Sequence, residues 1–456
     1  MAAASPPHRR LVSLTAAAFS KIHHRQECLL LSRAGGGVPR RRLVSLTAAA
    51  ASKIRHHFPH RRLLLSHLPD GAAATVSPST GSVATMDRRL LDAATSGDTS
   101  PIMVTQPDLR DPGVLLATTP QGNTCLHIAS ALGHLEFCKQ VLELNQSLLT
   151  AVNADNETPL VIAVKNGHAS LASVLLGFCR GHQERRDAVL QKDQNGCNAL
   201  HHAIRGGHRG LALELIAADP GLSRDVNKES PMFIAAVKNF EDVVGKLLEI
   251  SDSSHGGPSG QNALHAAVGK GNPDIVRSIM MARPWLAREE NGDKDSPMRK
   301  AVCEGKIDIV AVLLQHDRSL GYLIASNNSP LLNYAAAYGH VGVARELLKH
   351  CPDAPYCSKS GFSCLHAAAW NGRTEFVQFV LGSKHLQQVI NMQEKDGRTA
   401  LHLAAEKRNS RLISALLLHQ GIDITLLNNK GKTARQVLAA ATKDNADSIW
   451  VCMLSW

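Results

Sequence analysis

Aromatic side chains are scarce: 4% of the 456 residues against 44% hydrophobic residues in all, so any core must be largely aliphatic. No run of 18 or more apolar residues occurs, and the longest terminal stretch, 449–454, is too short to cross a hydrocarbon layer of about 30 Å. The ten cysteines stand singly, with no Cys-x-x-Cys pair and no Cys/His spacing of a zinc module. That excludes a disulfide scaffold or a zinc ribbon and points to a reducing compartment. Also missing are a Gly-rich phosphate loop, Gly-x-Ser-x-Gly and His-Glu-x-x-His. With no catalytic residues to name, the expectation is a protein that is not an enzyme, without cofactor, metal or small-molecule substrate.

Acidic residues are nearly absent from one region only. The chain carries a formal +11, but residues 1–85 hold twelve Lys/Arg and two acids (Glu27, Asp70), while the other 371 hold 38 and 37. A basic leader thus precedes a neutral body. Within the leader a phrase beginning Arg9-Arg10-Leu-Val-Ser-Leu-Thr recurs at Arg41-Arg42-Leu-Val-Ser-Leu-Thr. Arg, Ser and Ala with almost no acid looks like an organelle transit peptide. It can equally be an upstream extension, since Met86-Asp-Arg-Arg-Leu-Leu-Asp-Ala-Ala reads like a natural start. A nucleic-acid arm is the third reading, and the lack of interleaved aromatics argues against it. In each case residues 1–85 are expected to be low-complexity and disordered.

The body is periodic. Thr124-Cys-Leu-His-Ile-Ala-Ser-Ala-Leu-Gly133 returns as Thr158-Pro-Leu-Val-Ile-Ala-Val-Lys-Asn-Gly167, Asn198-Ala-Leu-His-His-Ala-Ile-Arg-Gly-Gly207, Asn262 to Gly271, Ser296 to Gly305, Ser363 to Gly372 and Thr399 to Arg408, with looser copies between. The position of the glycine falls at 97, 133, 167, 207, 239, 271, 305, 339, 372 and 408. Thr, Ser or Asn at the head of the phrase is a helix N-cap. Proline next, at 159, 231 and 297, tolerates the first helical turn, and glycine ends the helix in a left-handed conformation. A second apolar-periodic stretch follows, as in Val341-Gly-Val-Ala-Arg-Glu-Leu-Leu348. Turns such as Asp193-Gln-Asn-Gly196 and Asn428-Asn-Lys-Gly431 separate the copies.

A period near 33 with this phrase resembles the ankyrin repeat, whose hallmark is Thr-Pro-Leu-His-x-Ala. The resemblance implies an all-α solenoid of about ten or eleven helix-turn-helix units with β-hairpin fingers over 86–442, followed by a short apolar tail at 443–456. Three departures are expected to be local: an inserted loop over 179–186, Asn239 and Arg408 in place of glycine, and Ser329-Pro330 one residue too far from Gly339 for a standard cap.

Five histidines, His127, His201, His265, His366 and His402, share one place in the repeat. They lie a repeat apart and cannot converge on one ion. The resemblance makes them structural, bonded to the cap and to neighbouring backbone. The doublet His201-His202 is a weak metal signal, because adjacent helical positions point about 100° apart.

Ankyrin-like proteins vary at the two residues before the glycine, on the concave face. Here those places hold Lys165, Arg205, Lys238 and Lys270 on four successive copies, then Tyr338 and Trp370. The expectation is a groove that takes an acidic segment of a protein partner in its first half and anchors an apolar or aromatic side chain in its second.

The phrases Asp87-Arg-Arg-Leu-Leu-Asp-Ala-Ala-Thr-Ser-Gly-Asp98 and Leu115-Leu-Ala-Thr-Thr-Pro-Gln-Gly-Asn-Thr-Cys-Leu-His-Ile-Ala129 are similar to the plant accelerated-cell-death group of ankyrin proteins. Those proteins add a transmembrane Pro-Gly-Gly domain after the repeats, which this chain is expected to lack. The resemblance implies an interaction scaffold in defence or stress signalling, cytoplasmic and tied to membranes only indirectly. The alternative is an organelle-targeted (plastid or mitochondrial) or nucleic-acid-associated protein that uses the basic leader.

Overall fold

In the computed structural model the described residues are 85–180 and 183–442. The leader, apart from Thr85, and the tail at 443–456 fall outside them. From residue 87 onward the chain repeats one motif eleven times, the last copy described as far as its first helix, Ala434–Thr442. From the second copy to the tenth the order is first helix, tight left-handed turn, second helix, short connector, finger; in the first copy short turns over Pro101–Thr105 and Pro107–Arg110 stand where the second helix falls elsewhere. First helices pack on first helices of the next copy and second on second.

The first helices begin where the caps stand. Side-chain oxygens of Thr124, Thr158, Asn198, Ser230, Asn262, Ser296, Ser363 and Thr399 each accept the backbone N–H three residues on, at 3.0–3.5 Å. This satisfies donors that have no intrahelical partner. Pro159, Pro231 and Pro297 open their helices. At the other end all ten predicted turn positions have positive φ, from 53° at Arg408 to 87° at Gly207. Asn239 and Arg408 adopt the left-handed conformation that glycine supplies elsewhere.

Leu126, Leu200, Leu264 and Leu365, with Ala129, Ala203, Ala267 and Ala368, are fully buried in the stacked first helices. The alanines let the helices approach closely. Each leucine contributes roughly 2 kcal/mol by leaving water.

Departures have physical reasons. The eighth copy starts its helix at Leu331, with Pro330 in the cap position and no side-chain cap. The helix keeps eight residues, so the displaced Ser329-Pro330 alters the cap and leaves the length alone. Residues 179–186 are not simply a loop: after Cys179 a further helix, Gln183–Leu190, forms and docks the buried Ala188 and Val189. It is tied to the fourth copy by Arg186, whose Nη2 donates to Asp219 Oδ1 at 3.0 Å. The fingers hold isolated bridges, such as Gly256 with Asn262 and Cys357 with Ser363, and no strand occurs among the described residues. They are closed turns: the Asp193 N–H donates to the Cys197 carbonyl at 2.8 Å and the Asn428 N–H to the Lys432 carbonyl at 2.9 Å. Among the described residues no helix is long and apolar enough to cross a membrane.

Candidate functional site

The expected row sits on the last turn of successive first helices, where each side chain leaves the helix just before the left-handed turn. Lys165 Nζ lies 2.7 Å from Glu157 Oε1, the lysine side chain half-exposed and the glutamate nearly buried. The hydrogen bond to Glu157 raises the Lys165 ammonium above the ordinary lysine range. Arg205 Nη2 is paired with Glu229 Oε2 at 3.0 Å, and its Nη1 donates to Cys197 Sγ at 2.8 Å. Lys238 and Lys270 are exposed, and neither joins an ion pair among the described residues. The next copy places Glu304 in the row, between Lys300 (3.1 Å) and Lys306 (3.7 Å). Tyr338 is half-buried, its ring stacked on His340 with centroids 5.9 Å apart. Trp370 is 38% exposed, with Lys407 Nζ 3.6 Å from its ring centroid.

Six residues that looked alike in sequence therefore differ. Two cations are neutralised within the fold, two are open, and the two rings are covered on one side by a cationic or imidazole neighbour. The acids responsible, Glu157 and Glu229, stand immediately before the caps Thr158 and Ser230. A signal for them was present, an acid just ahead of the cap in these copies.

The repeated histidines are structural. Nε2 of His127, His201, His265, His366 and His402 donates to the carbonyls of Glu157, Glu229, Asp295, Arg398 and Lys432 at 2.8–3.2 Å. Nδ1 of each accepts the backbone N–H of its own cap residue. Burial pushes His127 and His201 down to about 4. In the eighth copy Asn333 takes the histidine's place and donates to the Phe362 carbonyl at 2.9 Å.

A second series escaped the sequence reading. The residue after the turn glycine reaches back to the preceding copy: His134 to the Thr95 carbonyl, His168 to that of Ala131 and His340 to that of Cys303, each at 3.0 Å. Gly-His at 133–134, 167–168, 207–208 and 339–340 was the available signal. Also unanticipated is the cluster in which Arg299 Nη1 donates to the Tyr334 hydroxyl at 3.1 Å and that hydroxyl to Asn327 Oδ1 at 3.0 Å.

The doublet His201-His202 diverges as helical geometry requires. His201 turns to Asn198 and the Glu229 carbonyl, while His202 Nε2 meets Asp193 Oδ2 at 3.0 Å.

A family model for ankyrin repeats (three copies) matches residues 90–187, 232–327, 300–388 and 365–451. The chain is 26% identical over 373 residues to Protein ACCELERATED CELL DEATH 6 of Arabidopsis thaliana, covering 71% of this chain and 52% of that protein. It is 23% identical over 352 residues to the E3 ubiquitin-protein ligase KEG of the same plant, covering 73% and 21%. The chain thus spans about half or less of these curated relatives. Among solved structures, the ankyrin repeat domain of Bcl-3 aligns with 52% of this chain and 92% of its own, at 19% identity and a TM-score of 0.35.

Proposed function

Because the chain belongs to the ankyrin repeat family, we propose that it is a protein–protein interaction scaffold, set in plant defence or stress signalling, whose row of helix ends takes a partner with an acidic segment. The observation that carries this reading is the pair Lys238 and Lys270. On successive copies they hold out exposed ammonium groups, and neither joins an ion pair among the described residues. Tyr338 and Trp370, on the eighth and ninth copies, supply aromatic surface further along the same row. Lys165 and Arg205 contribute less charge, since Glu157 and Glu229 balance them. The plant setting is supported by the similarity to the two Arabidopsis proteins.

Affinity capture with the full chain as bait, repeated with the Lys238→Glu/Lys270→Glu variant, tests it. A partner that carries an acidic stretch should bind the variant about tenfold more weakly, or 1.4 kcal/mol, and its affinity for the wild type should fall as salt is raised. A set of bound proteins that the variant retains with unchanged affinity would count against the reading.

A further inference from the structure

Three side chains of metal-binding type converge at the finger that leads into the fourth copy. Asp193, Cys197 and His202 each offer one ligand atom, and these atoms lie within 4.8 Å of one another. It is the one such trio among the described residues. The side chains of Asp193 and His202 are 3% and 15% exposed, and Cys197 is 2% exposed. This is a sheltered group and not a solvated acidic patch.

The other copies serve as internal controls. Asp193 corresponds to Asn153, Asn291 and Asn428 in the third, seventh and eleventh copies. In all of them Oδ1 accepts the backbone N–H groups two and four residues on, and Asp193 Oδ1 does the same with Asn195 and Cys197 at 2.9 and 2.8 Å. The turn needs one oxygen. Asp193 Oδ2 is additional, and it faces His202. The place of His202 holds Ile128, Ile162, Ile234 and Ala266 elsewhere, and that of Cys197 holds Asn123, Glu157, Glu229 and Asp295. No other described copy has a ligand-forming side chain at all three places. The repeat therefore folds without the trio, and something other than the fold accounts for it.

We propose that Asp193, Cys197 and His202 bind a single divalent transition-metal ion of borderline softness, zinc above all, with water in the fourth position. Thiolate, imidazole and carboxylate together suit zinc and disfavour magnesium or calcium. The charges balance: on binding, Cys197 releases its proton to solvent, His202 binds as neutral imidazole, and thiolate plus carboxylate neutralise the ion. The surroundings also fit. Arg205 Nη1 and Asn227 Nδ2 both donate to Cys197 Sγ at 2.8 Å, as second-layer donors do for a metal-bound sulfur, while Arg205 has its own charge balanced by Glu229. The ion replaces the Asp193–His202 hydrogen bond and pins the finger to the helix Ala199–Gly206, beside Arg205 in the row of helix ends.

The test uses the full chain, reduced and stripped of metal, titrated with cobalt(II) as the spectroscopic probe and then with zinc in competition. The expected result is one equivalent of cobalt with a thiolate-to-metal charge-transfer band in the near ultraviolet, displaced by zinc. Cys197→Ser abolishes the band, and His202→Ile and Asp193→Asn weaken binding at least roughly tenfold. The last two install residues that neighbouring copies already carry, and unchanged helicity by circular dichroism shows that they fold. Zinc raises the thermal midpoint of the wild type and not of His202→Ile. A wild-type chain without the band overturns the proposal, and so does a band that survives Cys197→Ser or binding that His202→Ile leaves unchanged.

Discussion

Nε2 of His127 donates to the carbonyl oxygen of Glu157 at 3.0 Å, so a side chain of the second copy completes a backbone group of the third. The imidazole is buried, and the same ring accepts from its own cap at Nδ1. His127→Ala leaves a buried carbonyl and a cap N–H unsatisfied and should cost about 2–4 kcal/mol. His127→Asn should cost less, because Asn333 already makes the equivalent bond. Urea unfolding followed by circular dichroism distinguishes them, and equal midpoints for the two variants would contradict this account.

Acid should loosen the stack well before its carboxylates titrate. Burial holds His127 and His201 at about 4, against 6.5 ordinarily, and lowers His265, His366 and His402 in the same direction. Between these values the unfolded chain binds more protons than the folded one. Stability therefore rises with pH through that window and falls as pH drops from 6.5 toward 4, by roughly 3 kcal/mol for each of the two most shifted histidines. Denaturant midpoints at pH 7 and pH 5 check this; a higher midpoint at pH 5 would refute it.

The left-handed turns make opposite predictions at two positions. Arg408 has φ +53°, and Arg408→Gly should stabilise by about 0.5–1 kcal/mol, strain relief outweighing the added chain entropy. Gly133 has φ +80°, and a Cβ there would come within 2.5 Å of His168 Nδ1. Gly133→Ala should destabilise by at least about 1 kcal/mol. Thermal melts of the two variants should shift in opposite directions.

Thiol chemistry should report the packing residue by residue. Burial pushes Cys125, Cys138 and Cys364 up to about 12 and Cys179 to about 11, leaving almost no thiolate at pH 8. Among the described cysteines, iodoacetamide should label the half-buried Cys303 and Cys357 first in native protein, and the six buried thiols, Cys197 and Cys351 included, only after urea. Mass spectrometry of timed digests gives the order; early labelling of Cys125 or Cys364 would be inconsistent with the stack.

Most of the architecture was legible because the repeat marks its own joints. A cap, a proline and a turn glycine are backbone requirements, and ten turn positions read from the chain carry positive φ. The inserted loop expected over 179–186 overlaps the start of the helix Gln183–Leu190, whose hydrophobic content is confined to Ala188, Val189 and Leu190 and which depends on where these dock. The binding row was legible as a set of positions but not as a pattern of charge. Arg205 meets Glu229 across 24 residues, a pairing set by how the copies stack and invisible to a reading of one helix at a time. The Asp193–Cys197–His202 trio is hidden in the sequence for a related reason: the partners of His202 come from the finger before it, not from the adjacent His201.

The histidine–carbonyl bonds join the second copy to the third, the fourth to the fifth and the sixth to the seventh, and then run unbroken from the ninth to the eleventh, with Asn333 supplying the link from the eighth. The outer series bridges the fifth to the sixth through Asn272 and Asn239, and the seventh to the eighth through His340. Among the described residues neither series spans the third and fourth copies, where Val161 stands in the histidine's place and the extra helix intervenes; there finger contacts such as Asn156 Nδ2 to the Lys192 carbonyl, 2.6 Å, and the Ser173 hydroxyl to Glu214 Oε2, 2.6 Å, carry the polar connection. Under tension between its ends, the stack of copies should open first at this seam, yielding a short front piece and a longer rear piece that remain intact to higher force.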